Sequence, residues 1–145
     1  MRISVLLLLV ITIAFSCKKK KEEEVFPPEI EIVSLSETTV KQFDNQVTLT
    51  IKYKDNDGDL GYTSSDTLAL SVKDSRLNKA DKYFVPLLAP INSDIMIEGN
   101  LDVQLAPFFL LGNGSSETVP LKVQLEDRSG NLSNEALSPS ITITQ

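Results

Sequence analysis

The amino-acid sequence predicts an all-β domain, an antiparallel sandwich of two sheets with about seven or eight short strands. Residues 45–54 and 117–126 alternate apolar and polar side chains, and several of these residues are β-branched. A period of two is typical of a strand with one buried face and one face in water. Gly, Asn, Asp and Ser cluster between the apolar stretches, as in the turns of an antiparallel sheet. No long amphipathic helix is predicted after residue 28.

The predicted strands follow one another closely along the domain. In chain order they comprise 29–33, 45–54, 67–73, an edge strand or irregular crossing within 83–92, 94–98, 101–105, 117–126 and 140–144. The side chains predicted to face the core from the three clearest strands are Val47, Leu49, Ile51, Tyr53, Leu68, Leu70, Val72, Val119, Leu121, Val123 and Leu125. Residues 108–111 are apolar and are also predicted to lie in the core, while 127–131 is a predicted turn.

Length and composition bound the class of protein. A chain of 145 residues with 41% hydrophobic residues is long enough for one domain with a sizeable core. The formal net charge of −6 argues against nucleic acid as a partner, because nucleic-acid binders carry basic patches. The sequence has no histidine and one cysteine, Cys17. These counts exclude a Ser-His-Asp triad, a histidine-ligated zinc site and a disulfide framework within the domain.

The sequence predicts that the protein is not an enzyme. Paired carboxylates such as Asp57 and Asp59 could in principle act as the acid and base of a glycosidase. They lie in a predicted turn, however, and neither another candidate base nor a set of aromatic residues accompanies them. A binding role is therefore favoured over catalysis.

The first sixteen residues are predicted to be a signal peptide. Arg2 precedes an apolar run over residues 3–15, which is too short for a comfortable transmembrane helix and fits a secretory signal. The closing stretch Ala14-Phe15-Ser16-Cys17 resembles the lipobox of bacterial lipoproteins, in which the signal is cut before the cysteine. This resemblance implies that Cys17 carries a diacylglyceryl group and an N-acyl chain, which together anchor a protein firmly in a membrane.

Residues 17–28 are predicted to be a tether. Four lysines and three glutamates follow Cys17 directly, and such blocks of like charge stay solvated and extended. Pro27-Pro28 stiffens the start of the domain, which is predicted to cover 29–145. The charged run resembles the export signal of Bacteroidota surface lipoproteins. The resemblance implies an outer-membrane protein that faces the cell exterior, with a periplasm-facing orientation as the alternative.

The stretch Asp55-Asn56-Asp57-Gly58-Asp59-Leu60-Gly61 is the candidate binding site. Carboxylates ~5 Å apart repel each other by about 3 kcal/mol, and calcium, which takes several oxygens from one short loop, would offset this repulsion. The stretch is not an EF-hand, because Leu60 stands at the sixth position and Asp66 at the twelfth. Asn, Asp and Gly also make tight turns without a metal, so a solvated acidic turn is the alternative.

Two segments resemble parts of bacterial Ig-like domains. Residues 123–134 resemble the end of such domains, where an Asp-x-x-Gly-Asn turn joins the last two strands, and residues 53–61 resemble the Asp-rich loop of Ig-like domains in Bacteroidota lipoproteins. The resemblance implies an Ig-like (cadherin- or fibronectin-like) sandwich in which loop, turn and N-terminus lie at one end. The implied calcium ligands are Asp55, Asp57, Asp59, Asp127 and the carbonyl of Asn131, and the ion would stiffen the junction between tether and domain.

These observations together predict a non-catalytic lipoprotein of the cell surface. Its domain would act as a binding or adhesion module for an unidentified protein or glycan, because sandwich domains present recognition loops at their ends. The alternative is a structural or accessory subunit of an outer-membrane complex for nutrient import or secretion.

Overall fold

The computed structural model describes residues 25–44 and 47–145. The predicted signal peptide, Cys17 and the charged part of the tether therefore lie outside the described residues, as does the beginning of the predicted strand 45–54. Among the described residues, no helix is long and apolar enough to span a membrane.

The described part of the chain is all-β and contains ten strands. They are β1 (Glu29–Leu35), β2 (Thr39–Lys41), β3 (Thr48–Asp55), β4 (Leu68–Asp74), β5 (Asp81–Phe84), β6 (Ile97–Gln104), β7 (Ser116–Val119), β8 (Leu121–Leu125), β9 (Ala136–Leu137) and β10 (Ile141–Thr144). They form three hydrogen-bonded sheets with the orders β1-β3-β6, β2-β10-β7 and β5-β4-β8-β9. All pairings are antiparallel except that of β2 with β10.

One hydrophobic core joins the three sheets into a β-sandwich-like domain. Its largest fully buried side chains come from β3, β4, β7, β8, β10 and the intervening loops: Val47, Leu49, Ile51, Leu60, Leu70, Val85, Leu105, Val119, Leu121, Leu125, Ile141 and Ile143. The apolar face predicted for β3 is therefore confirmed. Each such side chain contributes about 1.5–3 kcal/mol when fully buried, so this face accounts for much of the stability of the central strand.

The predicted strand 117–126 is wrong as a single element, because Pro120 divides it. β7 ends at Val119 and pairs with β10, whereas β8 begins at Leu121 and pairs with β4 and β9. Proline has no N–H to donate to a ladder, and a chain that passes from one sheet to another forms a corner of a sandwich. Val119 and Leu121 are nevertheless both fully buried, as the alternation predicts.

The predicted inward face of β4 is wrong at Leu68. The register of β4 against β5 shifts between Leu68 and Leu70, so Leu68 is 43% exposed while Ala69 is only 2% exposed. A bulge of this kind turns the preceding side chain to the other face of the sheet. Leu70 and Val72, which follow the bulge, are buried as predicted.

In place of the two short strands predicted over 94–98 and 101–105, the structure has one continuous strand, β6, which begins at Ile97, so the prediction is wrong for residues 94–96. β6 pairs with β3 along its whole length, and Gly99 lies opposite Tyr53. A Cβ atom at Gly99 would lie 2.7 Å from the Tyr53 hydroxyl oxygen. The Tyr53 side chain passes over this position, and only glycine leaves room for it. A glycine that makes room for a side chain looks the same in a sequence as a glycine in a turn.

Of the predicted core segment 108–111, only Phe108 is buried, and Leu111 is exposed. Phe109 instead stacks on Phe43, with ring centroids 6.2 Å apart and planes 6° from parallel. Leu110 is partly buried and packs against the core, so the prediction holds for Phe108 and in part for Leu110. Arg76 donates to the Phe109 carbonyl, and Glu117 accepts from the Leu111 amide.

Candidate functional site

The acidic loop, residues 55–61, follows directly from β3, and close packing fixes its shape. Gly58 and Gly61 have φ angles of 69° and 83°, in the left-handed region that glycine adopts readily. A Cβ atom at Gly61 would lie 2.0 Å from the carbonyl oxygen of Pro86, and one at Gly58 would lie 2.5 Å from that of Ile95. Both glycines are therefore required by backbone shape and by space.

The loop brings the three predicted aspartates together. One carboxylate oxygen from each of Asp55, Asp57 and Asp59 lies within 4.8 Å of the other two. Two of these side chains also accept hydrogen bonds: Asp55 Oδ2 accepts from the Asp59 amide at 2.9 Å. Asp59 Oδ2 accepts from the Ser129 amide at 3.0 Å and from the Ser129 hydroxyl at 2.7 Å. These hydrogen bonds hold the Asp55 and Asp59 side chains in position.

The Oδ1 atoms of Asp55, Asp57 and Asp59 are buried and have no hydrogen-bond partner. Asp55 itself is only 1% exposed. Among the described residues, the ion pairs involve Asp74, Glu117 and Glu135 and none of these three aspartates. A buried carboxylate oxygen without a donor or counter-charge is strongly unfavourable, so the Asp55-Asp57-Asp59 cluster could hold a metal ion.

Burial raises the pKa of the Asp55 carboxyl from 3.8 to about 6. The next cause is Asp57, which can accept a proton shared with Asp55 and which repels its negative charge. Below a pH of about 6 the Asp55 carboxyl keeps its proton, which relieves some of the repulsion between Asp55 and Asp57. Once both groups are ionised, no proton remains to bridge them, and a cation between them would offset their repulsion.

The turn over residues 127–131 packs against the acidic loop. The Arg128 amide donates to the Asp59 carbonyl at 3.2 Å, close to the contacts that Ser129 makes with the Asp59 side chain. The Arg128 guanidinium donates to three carbonyl oxygens of the loop, those of Gly58, Leu60 and Gly61. The loop and the turn are therefore neighbours, as the Ig-like resemblance implies, and Arg128 and Ser129 join them.

Asp127 and Asn131 mainly hold the turn in shape. Asp127 is fully buried, and its two oxygens accept from the Asn131 amide at 2.7 Å and from the Asn131 side chain at 2.8 Å. The Asn131 carbonyl accepts from the Asp127 amide at 3.1 Å. Burial raises the pKa of Asp127, and the hydrogen bonds from Asn131 oppose that rise. The close group of carboxylates consists of the other three aspartates.

A third segment, absent from the sequence-based prediction, reaches the site. A recess of about 360 Å³ opens beside the acidic loop, lined by Asp57, Asp59, Asn92, Ser93, Asp94, Arg128 and Ser129. Strand candidates are predicted over 83–92 and 94–98, and nothing in the sequence indicates that the residues where they meet face the acidic loop. Only the return of the chain from β5 to β6 places them there.

The start of the domain lies at the same end. Glu29 and Ile30 of β1 pair with Lys54 and Tyr53 of β3, just before Asp55. The Asn134 side chain covers the outer edge of β1: it accepts from the Ile30 amide and donates to the Ile30 carbonyl, both at 2.9 Å. The chain that precedes β1 therefore reaches the domain next to the acidic loop.

In comparisons with known proteins, no family model, no curated protein and no solved structure matches this chain. Fold and site therefore define a class and no narrower group: an all-β, sandwich-like domain with a carboxylate cluster at the end where its first strand begins.

Proposed function

We propose that the chain is a non-catalytic surface lipoprotein of the outer membrane, and that its domain is an Ig-like binding module stabilised by calcium. The observation that carries the calcium assignment is the set of three buried Oδ1 atoms without partners, those of Asp55, Asp57 and Asp59. Native structures leave few buried polar atoms unpaired, and a bound ion is one of the usual reasons for an exception.

The geometry of the cluster favours calcium. One carboxylate oxygen from each of the three aspartates lies within 4.8 Å of the other two, and two oxygens bound to one calcium ion are at most about 5 Å apart. Calcium accepts flexible coordination by oxygens, whereas magnesium demands a near-ideal octahedron. Calcium takes about six to eight oxygens, and the adjoining recess offers room for water or further ligands.

The lipoprotein part of the proposal rests on the sequence around Cys17, and the position of β1 fits it. A tether from Cys17 would reach the domain beside the acidic loop, since Glu29 pairs with Lys54. The opposite end would then point away from the membrane. That end carries the exposed Phe43, which stacks on Phe109, and aromatic side chains are frequent in recognition surfaces.

Thermal unfolding tests the calcium assignment. Ligand at about 100 times the dissociation constant stabilises a protein by about 2.7 kcal/mol, so excess calcium is expected to raise the melting temperature by several degrees over chelator. Asp57→Asn is expected to abolish the rise. Asp44→Asn, an exposed aspartate outside the site, is the matched control and should leave it intact. An equal melting temperature with calcium and with chelator would make the loop a metal-free turn.

Metabolic labelling tests the anchor. Bacteria that express the full chain should incorporate labelled palmitate into it, and Cys17→Ala should incorporate none, because Cys17 is the one cysteine of the chain. Protease treatment of intact cells then distinguishes the two orientations, since a domain on the cell exterior is digested and a periplasmic one is protected. An unlabelled wild-type chain would contradict the anchor and leave the calcium assignment untouched.

A further inference from the structure

We propose that Ser93 and Asp94 complete the cation site, so that the bound ion fastens the segment 92–95 to the acidic loop. This inference rests on the calcium binding proposed above and adds ligands from a third part of the chain. It also gives the ion a structural effect on a segment that neither the aspartate motif nor the neighbouring turn contains.

The four buried side-chain atoms without a hydrogen-bond partner in the described part of the chain all belong to this site. Three are the Oδ1 atoms of Asp55, Asp57 and Asp59, and the fourth is the hydroxyl oxygen of Ser93. Ser93 lines the same recess as Asp57 and Asp59. Unpaired buried groups are rare in native proteins, and three of these four side chains, those of Asp57, Asp59 and Ser93, line one recess, which indicates a shared partner. Carboxylate and hydroxyl oxygens are both ligands that calcium accepts.

The backbone holds this segment close to the loop. The Ser93 amide donates to the Pro90 carbonyl at 3.2 Å and closes a turn, and Asn92 has a φ of 63°, which Asn tolerates better than most residues. Beyond the turn, the Ile95 carbonyl approaches Gly58 so closely that a Cβ atom there would lie 2.5 Å away. The backbone therefore holds Ser93 beside the acidic loop, and its hydroxyl oxygen is bonded directly to Cβ.

Asp94 contributes charge across the recess. It is exposed and lies outside the close group of three carboxylates, so we assign it to the ion through a bridging water, a usual arrangement in calcium loops. Without a cation, Asp94 is repelled by Asp57 and Asp59, which line the same recess. Arg128 is the one positive side chain among the residues that line the recess, and the ion would add positive charge between the two segments.

Fixing this segment also fixes an apolar surface. Ile91, Ile95 and Met96 flank the recess residues and are all exposed. A cation that holds Ser93 and Asp94 in place would set the positions of these three side chains. Calcium is therefore expected to order the segment 91–96, and removal of calcium to release it.

Terbium luminescence with calcium competition measures the affinity of the site directly. Terbium occupies calcium sites, and Tyr62, whose hydroxyl donates to the Asp127 carbonyl at 2.7 Å, lies close enough to sensitise its emission. Ser93→Ala is expected to weaken calcium binding by about tenfold or more, the effect typical of losing a supporting ligand, and Asp94→Asn to weaken it as well. Ser93→Thr, which keeps the hydroxyl group, should bind nearly as well as wild type. Ser115→Ala and Asp44→Asn, at exposed positions elsewhere, are the matched controls.

Hydrogen exchange supplies the second measurement. In the wild-type protein calcium should slow exchange of the amides over residues 91–97, and Ser93→Ala should lose this protection at calcium concentrations that still protect the amides of the acidic loop. Wild-type affinity in both Ser93→Ala and Asp94→Asn would overturn the inference while leaving calcium binding by the three aspartates standing. Absence of terbium or calcium binding by the wild-type protein would overturn the calcium site and this inference together.

Discussion

The Asp55 carboxyl group is both buried and close to two other carboxyl groups, and each of these conditions disfavours its negative charge. It ends β3 with its side chain in the core, and its neighbours Asp57 and Asp59 carry the same charge. The structure provides one hydrogen bond, from the Asp59 amide to Oδ2, and none to Oδ1. We therefore expect the stability of the domain to depend on whether a proton or a cation neutralises Asp55.

We predict that the cation-free protein loses stability as the pH rises from about 4 to 7. The pKa of Asp55 is raised from 3.8 to about 6 in the folded state, so over this interval the folded protein keeps a proton that the unfolded chain has released. The stabilisation is complete below the unfolded pKa and disappears as the pH passes through 6. A rise of about two pKa units corresponds to on the order of 3 kcal/mol.

Chemical denaturation in chelator at pH 5 and pH 7 checks this prediction. Asp55→Asn cannot ionise, so its unfolding free energy should change less between the two pH values than that of wild type. Excess calcium should likewise remove the loss at pH 7, because the ion replaces the proton. If Asp55→Asn shows the same difference in unfolding free energy between pH 5 and pH 7 as wild type, Asp55 is not the source of the pH dependence.

At the scale of the strands, local irregularities decide which side chains are buried. The alternation in 117–126 correctly predicts that Val119, Leu121, Val123 and Leu125 are buried. The strand is interrupted at Pro120, however, and β7 and β8 on either side of it belong to different sheets. The bulge before Leu70 exposes Leu68 while the rest of β4 keeps its predicted face. The alternation of apolar and polar residues thus predicts burial within one strand. A bulge or a proline interrupts the strand, and the alternation of buried and exposed side chains begins again after it.

We predict that Arg76 is the main polar link between two sheets. Its guanidinium group forms a bidentate pair with Asp74 at the end of β4 and also contacts Glu117 of β7. Arg76→Ala is expected to lower the melting temperature several times more than Lys122→Ala, because the exposed pair of Lys122 with Glu135 belongs to a class worth only about 0.2–1 kcal/mol. Arg76→Lys should restore little, since an ammonium cannot bind two partners in the same plane.

Thermal melts of these three variants in chelator and in calcium check that prediction. Arg76 donates to the Phe109 carbonyl, and its partner Glu117 accepts from the Gly112 amide. These contacts lie outside the acidic site, so the destabilisation by Arg76→Ala and that by Lys122→Ala should each be the same with and without calcium. Equal effects of Arg76→Ala and Lys122→Ala would show that the three-way contact contributes no more than a surface pair.

For the whole molecule, the important fact is that the acidic loop and the first strand share one end. Ile30 pairs with Tyr53, two residues before Asp55, and Asn134 binds both backbone groups of Ile30. An ion that tightens the loop is therefore placed to restrain the chain where it enters the domain. The opposite end, near Thr48, lies a full strand length away.

We predict that calcium stiffens this junction. Hydrogen exchange of the amides over residues 29–32 should slow when calcium is added, whereas the amide of Thr48, which donates to Ser36 Oγ at the other end of the sheet, should change little. Asp57→Ala should remove the calcium effect at 29–32. Unchanged exchange there, in a protein that does bind calcium, would limit the role of the ion to the loop itself.

The sequence by itself determines the all-β class, the apolar face of β3, the last strand and the Asp-rich loop. These features depend on interactions between residues close together in the chain: a period of two defines a buried face, and Gly and Asp in succession define a turn. The three aspartates could be identified as a cluster for the same reason, since they lie within five residues of one another.

The tertiary structure decided what surrounds that cluster. Only the packing of three chain segments places the Arg128 guanidinium on the loop carbonyls, and the same packing brings the unpaired Ser93 hydroxyl to the recess beside Asp57. It also places Gly99, which lies between two strands predicted as separate, against the Tyr53 side chain. These contacts join residues 30 or more positions apart, and local sequence patterns carry no information about such distant pairs because the sheet pairings that create them depend on the whole chain.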